Sequence, residues 1–313
     1  MMTTAATSMH AELTEEALKA RITQFVADAS IEITPHDEER LPEVMTHLPT
    51  GTTVYIAHPP RRLLRDVMRA AIKVRKLGHL ARPHILAREL QSERHLREAL
   101  TELNAAGIDQ ILLVAGDQNF AAGPFPGTLE VLETGATVDC GIKSVAVAGH
   151  PEGHKVIGPS LLWDSLRLKQ AFAERTGTHI HVVTQFGFNP QAIFEWQRHC
   201  RELGISLPVH VGLAGPTPLP KLMRFAMQCG IGASLRTLMK SASTLTHLAR
   251  VTSTPEEMLV GLARGDGGTN LAPIVKPHFF CFGGSLETAQ WLNRVREGSF
   301  ELNEECSRFT VSA

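Results

Sequence analysis

Short apolar runs along the chain alternate with stretches whose apolar residues recur at helical spacing, which is the pattern of strands followed by helices in a parallel sheet. The first helix carries Leu18, Ile22, Phe25 and Val26 on one face and leads into a strand from Ala29 to Thr34. A second strand is expected at Val54 to Ala57. After Pro59 and Pro60 a helix follows with Leu63, Leu64, Val67, Met68 and Ala71 on one face. Proline suits a helix start because the N–H it lacks would be an orphan there. A third strand spans Ala81 to Ala87, and a helix from Ser92 to Ala106 is stopped by Gly107. Ile108 to Ala115 is almost continuously apolar, as a strand buried on both faces requires, and it ends in Gly116 and Asp117.

Ser144 to Ala148 reads as the fifth strand, followed by a helix from Ser160 that buries Leu161, Leu168 and Phe172. His179 to Thr184 is the sixth. Asn189 then caps, and Pro190 opens, a helix burying Ile193, Trp196, Cys200 and Leu203. Leu207 to Val211 is the seventh strand. Two helices follow it, one with Leu219, Leu222, Met223 and Ala226, the next with Leu235, Leu238, Met239, Leu245 and Leu248. A third opens with a capping box from Thr254 to Glu257, and Gly265 to Asn270 reads as a surface loop. His278 to Phe282 is the eighth strand, closed by Gly283, Gly284 and a helix through Leu292 and Val295.

Eight strands, each followed by a helix, make a single-domain α/β fold, a (β/α)8 TIM barrel with an N-terminal helix and extra helices before the last strand. A doubly wound sheet is the alternative. The expected boundaries are a helical extension over residues 1–28, the barrel over 29–298 and a tail over 299–313.

With 313 residues, 43% of them apolar, the chain can bury a large core. Lys and Arg number 31 against 32 Asp and Glu, so the excess of cations needed to neutralise many phosphates is missing and nucleic acid is not an expected partner. Five cysteines, an odd number with no CxxC pair, argue against a disulfide framework and for a reducing compartment. No basic segment followed by an apolar stretch opens the chain, and no apolar run is long enough to cross a bilayer. A cytoplasmic protein without a membrane partner, assembled as a homo-oligomer, is the expectation.

Barrel sites form at the C-terminal ends of the strands. Glu32, within Ser30-Ile31-Glu32-Ile33-Thr34-Pro35, faces the barrel interior or must be covered. A buried carboxylate is either paired structurally or functional, and partial desolvation should raise its pKa. Asp117 can reach a ligand or cap a turn. His58, His84, His150 and His154 fall at or just past strand ends, where imidazoles bind metal, phosphate or a planar cofactor, or satisfy loop hydrogen bonds. His179-Ile180-His181 resembles the metal pair of a barrel hydrolase, yet it opens its strand at the opposite end, and Cys281, Phe282 and Gly283 supply no matching ligand, so no metal site is expected. The basic helix with Arg61, Arg62, Arg65, Arg69, Lys73, Arg75 and Lys76 reads as a solvated face, or as a dock for an anionic tail. There is no P-loop, GxGxxG after a strand, or GxSxG elbow.

With these residues placed, the chain from Ser30 to the final helix resembles the methylenetetrahydrofolate reductase family. The family's S-x-E-x-x-P appears as Ser30 to Pro35, its P-H as Pro83-His84, its R-G-D as Ala115-Gly116-Asp117 and its Y-P-E-x-H as His150 to His154. Its D-x-x-x-L-K appears as Asp164 to Lys169, its T-Q-F-x-F-D as Thr184 to Asn189, its P-G-I as Val211-Gly212-Leu213 and its H-F-Y as His278-Phe279-Phe280. The resemblance implies a flavin-dependent enzyme that interconverts 5,10-methylene- and 5-methyltetrahydrofolate by hydride transfer through FAD, with NADH or NADPH as donor and a folate as substrate. It further implies that His84, Asp117, His150, His154 and Asp164 contact the flavin. Asp117 also lies near the pterin, Gln185 contacts folate, and Glu32 is the general acid that helps open the methylene bridge. The sequence departs from the family at Ala115, His150, Ala171 and Phe282-Gly283-Gly284, and the aromatic expected after the seventh strand falls near Leu219 or Pro220. These departures open the 5-methyltetrahydrofolate-oxidising direction. The competing readings are a non-redox folate- or flavin-binding barrel and, more remote, a metal-dependent hydrolase.

Overall fold

The structure, a computed structural model, describes residues 13–231, 252–265 and 274–312. Eight parallel strands close into a barrel: β1 (Ser30–Ile33), β2 (Thr53–Ile56), β3 (Leu80–Leu86), β4 (Gln110–Val114), β5 (Ser144–Gly149), β6 (His179–Thr184), β7 (Val209–Ala214) and β8 (Ile274–Phe280). Each strand pairs with the next and β1 closes the ring against β8, so the chain is a (β/α)8 barrel and not an open doubly wound sheet.

Outside the strands lie α1 (Glu15–Ala27), α2 (Leu41–Thr46), α3 (Leu64–Lys76), α4 (Glu93–Ala105), α5 (Thr128–Glu133), α6 (Ala136–Asp139), α7 (Pro159–Thr176), α8 (Pro190–Glu202), α9 (Leu219–Cys229), α10 (Glu256–Arg264) and α11 (Ser285–Arg296). Helices α2, α5 and α6 are not anticipated by the sequence pattern, being too short to display a helical period. The helix expected around Leu235 to Leu248 lies outside the described residues, as does the Gly265 to Asn270 loop beyond its first residue. No helix among the described residues is long and apolar enough to cross a membrane.

Alternation along each strand sorts the side chains. Ile31, Ile33, Val54, Ile56, Ile85, Ile111 and Leu113 point outward into the main core beneath the helices. Tyr55, Leu112, Ala146 and Val183 form a separate cluster that fills the middle of the barrel. Polar residues therefore occupy the two ends of the interior, above and below this plug.

The structure corrects several expectations. Strand β8 begins at Ile274, four positions before His278, because Pro277 sits inside the strand opposite Val211; a proline that cannot donate a ladder hydrogen bond hides a strand from a reading by composition. Helix α7 buries Leu166, Lys169 and Phe172, while Leu161 and Leu168 are 63% and 50% exposed on the face turned away from the barrel. The capping box is not formed: α10 starts at Glu256 and has no side-chain cap, and Glu256 is buried, accepting from Trp291 Nε1 at 3.3 Å. Residues of the expected tail form an antiparallel hairpin, β9 (Phe300–Leu302) with β10 (Phe309–Val311), which buries Phe300 and Phe309.

Candidate functional site

At the C-terminal end of the interior, Ser30 and Glu32 face inward because Ile31 and Ile33 face out. The register sets Ser30 beside His278 and Glu32 beside Phe280 on β8 and Tyr55 on β2. Glu32 Oε2 lies 3.2 Å from His84 Nε2 and 3.7 Å from His278 Nε2. His278 is fully buried and its Nδ1 is 3.0 Å from Ser30 Oγ. If the Ser30 hydroxyl donates to Nδ1, the His278 Nε2–H faces the carboxylate. Tyr55 packs against His278 with ring centroids 4.3 Å apart.

The Glu32 side chain is 16% exposed. Burial pushes its carboxyl up, and the close approach of His278 and His84 pulls it down to about 2, while burial pulls the His278 imidazole below its own ordinary range. The expectation of a raised pKa is therefore overturned: Glu32 is a carboxylate at neutral pH. The two Nε2 atoms are close to it but poorly aligned, and neither makes a well-formed hydrogen bond among the described residues.

The remaining sequence candidates separate into two kinds. His150 and His154 meet edge to face at 5.0 Å. His154 Nδ1 accepts from the Val156 and Ile157 amides at 3.2 and 3.1 Å, which fixes its ring. Burial, then the charges of His154 and Lys169, holds His150 down to about 4. Lys169, one turn beyond Asp164 on α7, is buried; its Nζ donates to Ser165 Oγ at 2.7 Å and burial pulls its pKa down to about 8. Gln185 is half-buried and its Oε1 accepts from the Phe186 amide at 3.1 Å. Asp117 and Asp164 are exposed, and Asp164 is engaged with Ser160 at 3.4 Å and Arg167 at 3.6 Å. Neither aspartate bonds another candidate among the described residues. His58 serves the scaffold, with Nε2 2.9 Å from the Arg62 carbonyl and 3.1 Å from Glu89. Cations of the basic α3 segment are likewise spent on neighbours, Arg69 on Glu38 and Asp66, and Lys73 on the Glu38 carbonyl.

Phe186, Phe188, Phe225, Phe280 and Phe282 wall the β6–β8 side of the same end. Phe282 has a left-handed backbone (φ 48°), rare for a bulky residue, and Gly283 continues it (φ 79°). That turn folds Phe282 back onto Phe225 and Phe186, at 4.6 and 4.9 Å between ring centroids. Lys155 donates to the Met227 and Gln228 carbonyls and so ties the loop after β5 to the end of α9.

His278, Tyr55, Lys169 and the phenylalanine wall were not among the sequence candidates. His278 was legible, since period-two alternation puts His278 and Phe280 on the face of β8 that meets Ser30 and Glu32. The wall was not, because it draws on three strand ends and a helix.

The donor set fits a planar, anionic cofactor. The half-buried His84 ring, whose Nε2 faces Glu32, the buried Lys169 ammonium with no carboxylate at ion-pair distance among the described residues, and the aromatic wall offer a polar edge, a counter-charge and a stacking face. Among the described residues no group of three or more His, Cys, Asp or Glu is arranged to hold a metal ion. No protein-family model matches the chain.

Proposed function

We propose that this barrel is a FAD-dependent oxidoreductase of the methylenetetrahydrofolate reductase type that interconverts 5,10-methylene- and 5-methyltetrahydrofolate, the 5-methyltetrahydrofolate-oxidising direction included. The observation that carries the reading is the ionised Glu32 carboxylate held between His84 and His278 at the C-terminal end of the barrel. FAD, when bound, supplies the hydride transfer that no side chain can perform. The chain's own residues handle the proton, orient the folate and keep water away.

In the oxidising direction the methyl carbon on N5 loses a hydride, the resulting iminium carbon bonds to N10, and N10 gives up its proton. A side chain that is already a carboxylate at neutral pH can take that proton. In the reverse direction the same group, once protonated, donates. Glu32 thus serves as base in this direction and, once protonated, as acid in the other, and His84, the more exposed of its two imidazole partners, offers the proton a path outward. In this reading His84, His150, His154 and Lys169 hold the cofactor, and Gln185 with the phenylalanine wall holds the folate.

The exposure of Asp117 and Asp164 favours a second reading, a barrel that binds flavin or folate without turnover. One experiment separates the two. The purified protein is reconstituted with FAD and mixed anaerobically with 5-methyltetrahydrofolate, then with NADH or NADPH. Bleaching of the flavin by 5-methyltetrahydrofolate is the expected result. Uptake of FAD without bleaching by any donor supports the second reading, and failure to take up FAD overturns the flavin assignment.

A further inference from the structure

Below the apolar plug, at the N-terminal ends of the strands, the barrel interior is basic. Arg82 on β3 lies over the Tyr55 ring at 5.4 Å and donates to Gln110 Oε1 at 2.5 Å, to Ser144 Oγ at 3.2 Å and to the Ile111 carbonyl at 3.2 Å. Ser144 Oγ is 3.2 Å from His179 Nδ1. His181 stands 5.7 Å from His179 and 4.2 Å from His210 between ring centroids, with its Nε2 3.1 Å from the Tyr55 hydroxyl. The register of β7 and β8 sets Lys276 beside His210. These side chains form one connected cluster contributed by β3, β4, β5, β6, β7 and β8.

Among the described residues, the carboxylates that act on its cations, Asp109 on Arg82 and Asp28 on Lys276, do so from beyond ion-pair distance. Among the described residues, no carboxylate forms an ion pair with Arg82 or Lys276. Arg82 is only 5% exposed, so its guanidinium is desolvated as well as unpaired by charge. Among the described residues, three buried atoms in the cluster, Arg82 Nε, His181 Nδ1 and His210 Nδ1, have no hydrogen-bond partner. Burial and the nearby cations hold His181 and His210 well below the ordinary histidine range, which is the response of imidazoles packed into positive surroundings. Access is open, since His179 is exposed and Gln110 and Lys276 are half-exposed.

We propose that the N-terminal mouth of the barrel is a binding site for a small dianionic oxyanion of the phosphate class, held by Arg82, Lys276, His179 and His210. Arg82 and Lys276 carry the two fixed charges that match a dianion, and Arg82 Nε and the imidazole N–H groups are the donors left over for its oxygens. A tetrahedral oxyanion presents oxygens in all directions and can meet donors from strands around a ring, which a planar carboxylate cannot. The site lies at the opposite end from the Glu32 group and does not depend on the function proposed for that end. Free inorganic phosphate and the phosphoryl group of a larger metabolite share this chemistry.

Isothermal titration of the full chain with inorganic phosphate, in chloride buffer at constant ionic strength, tests the proposal, with the imidazole resonances of His179 and His210 followed by NMR. Saturable one-to-one binding that shifts both resonances is expected, and Lys276→Gln should weaken it by about tenfold or more, ~1.4 kcal/mol. Lys276 is half-exposed, so this variant should keep the fold; Arg82→Gln, checked by circular dichroism, is the second variant. A phosphate monoester titrated in parallel decides the source: tighter binding than inorganic phosphate assigns the site to a phosphorylated metabolite, and equal or weaker binding assigns it to the free ion. No saturable binding at millimolar phosphate, equal displacement by chloride, or phosphate affinity unchanged in Lys276→Gln would each overturn the proposal.

Discussion

Glu32 owes its ionisation to its neighbours and not to its own position in the chain. Burial alone pushes its carboxyl up, whereas facing His84 and His278 it is held down to about 2. Replacing it by glutamine keeps the shape and removes the charge. Glu32→Gln should therefore slow the folate half-reaction by roughly 10²- to 10⁴-fold, the usual worth of a positioned acid or base. Reduction of the flavin by a nicotinamide donor moves no proton through this residue and should stay unchanged. Stopped-flow measurement of the two half-reactions reads the difference; equal slowing of both would make Glu32 a structural group. Asp164, exposed and engaged only on its own helix, offers the opposite test. If it reaches the cofactor, Asp164→Ala weakens FAD binding in a fluorescence titration without lowering the melting temperature, and an unchanged affinity would remove it from the site.

At the scale of elements, the turn after β8 and the start of α9 shape the mouth. Phe282 and Gly283 run through left-handed backbone, and Leu219 is buried at the first position of α9, where an aromatic able to stack on nicotinamide would need to stand free. A nicotinamide donor should accordingly reduce the flavin more slowly than 5-methyltetrahydrofolate does, a comparison that stopped-flow absorbance settles. Strand β7 carries a second constraint at Gly212. A Cβ there would meet the Thr184 carbonyl and approach the Phe280 ring at 2.8 Å. Gly212→Ala should thus cost about 1–3 kcal/mol, the usual effect of overpacking, and disturb the aromatic wall. Urea denaturation measures the loss, and a variant as stable as the parent would mean that β6 and β8 separate more easily than their register suggests.

Across the whole molecule, a chain with a formal charge of only -1 has a strongly polarised interior, with a carboxylate group at one end of the barrel and a cationic cluster at the other. This arrangement predicts acid lability. His150 and His210 are held down to about 4 and about 2, chiefly by burial, and His181 is lowered as well. Their folded pKa values lie below the unfolded value of 6.5, so below that pH the unfolded chain binds protons that the native chain refuses. Stability should change little between pH 7 and 8 and fall as the pH drops from 6.5 toward 4, by up to ~1.4 kcal/mol per pH unit for each such histidine. Glu32, depressed from 4.5, adds a loss in the same direction below that value. Urea unfolding across this range checks the slope, and a flat profile would show that the buried imidazoles gain protons without unfolding.

How much of this was legible follows from which interactions are local. The (β/α)8 architecture could be read from the sequence because each strand and most helices announce themselves by their own periodicity, and runs such as Ile111 to Val114 can be satisfied only on a doubly covered sheet. The inward direction of Glu32 was equally local, set by the isoleucines on either side. Closure of the barrel decided the rest. It brought His84 from β3 and His278 from β8 to one carboxylate and reversed the sign of the expected pKa shift. It brought His179 and His181, which the sequence placed at the end of the barrel away from the Glu32 group, together with Arg82, His210 and Lys276. It also left Asp117 and Asp164 in solvent. Charge–charge energies depend on distances between strands far apart in sequence, and those distances exist only once the sheet has closed on itself.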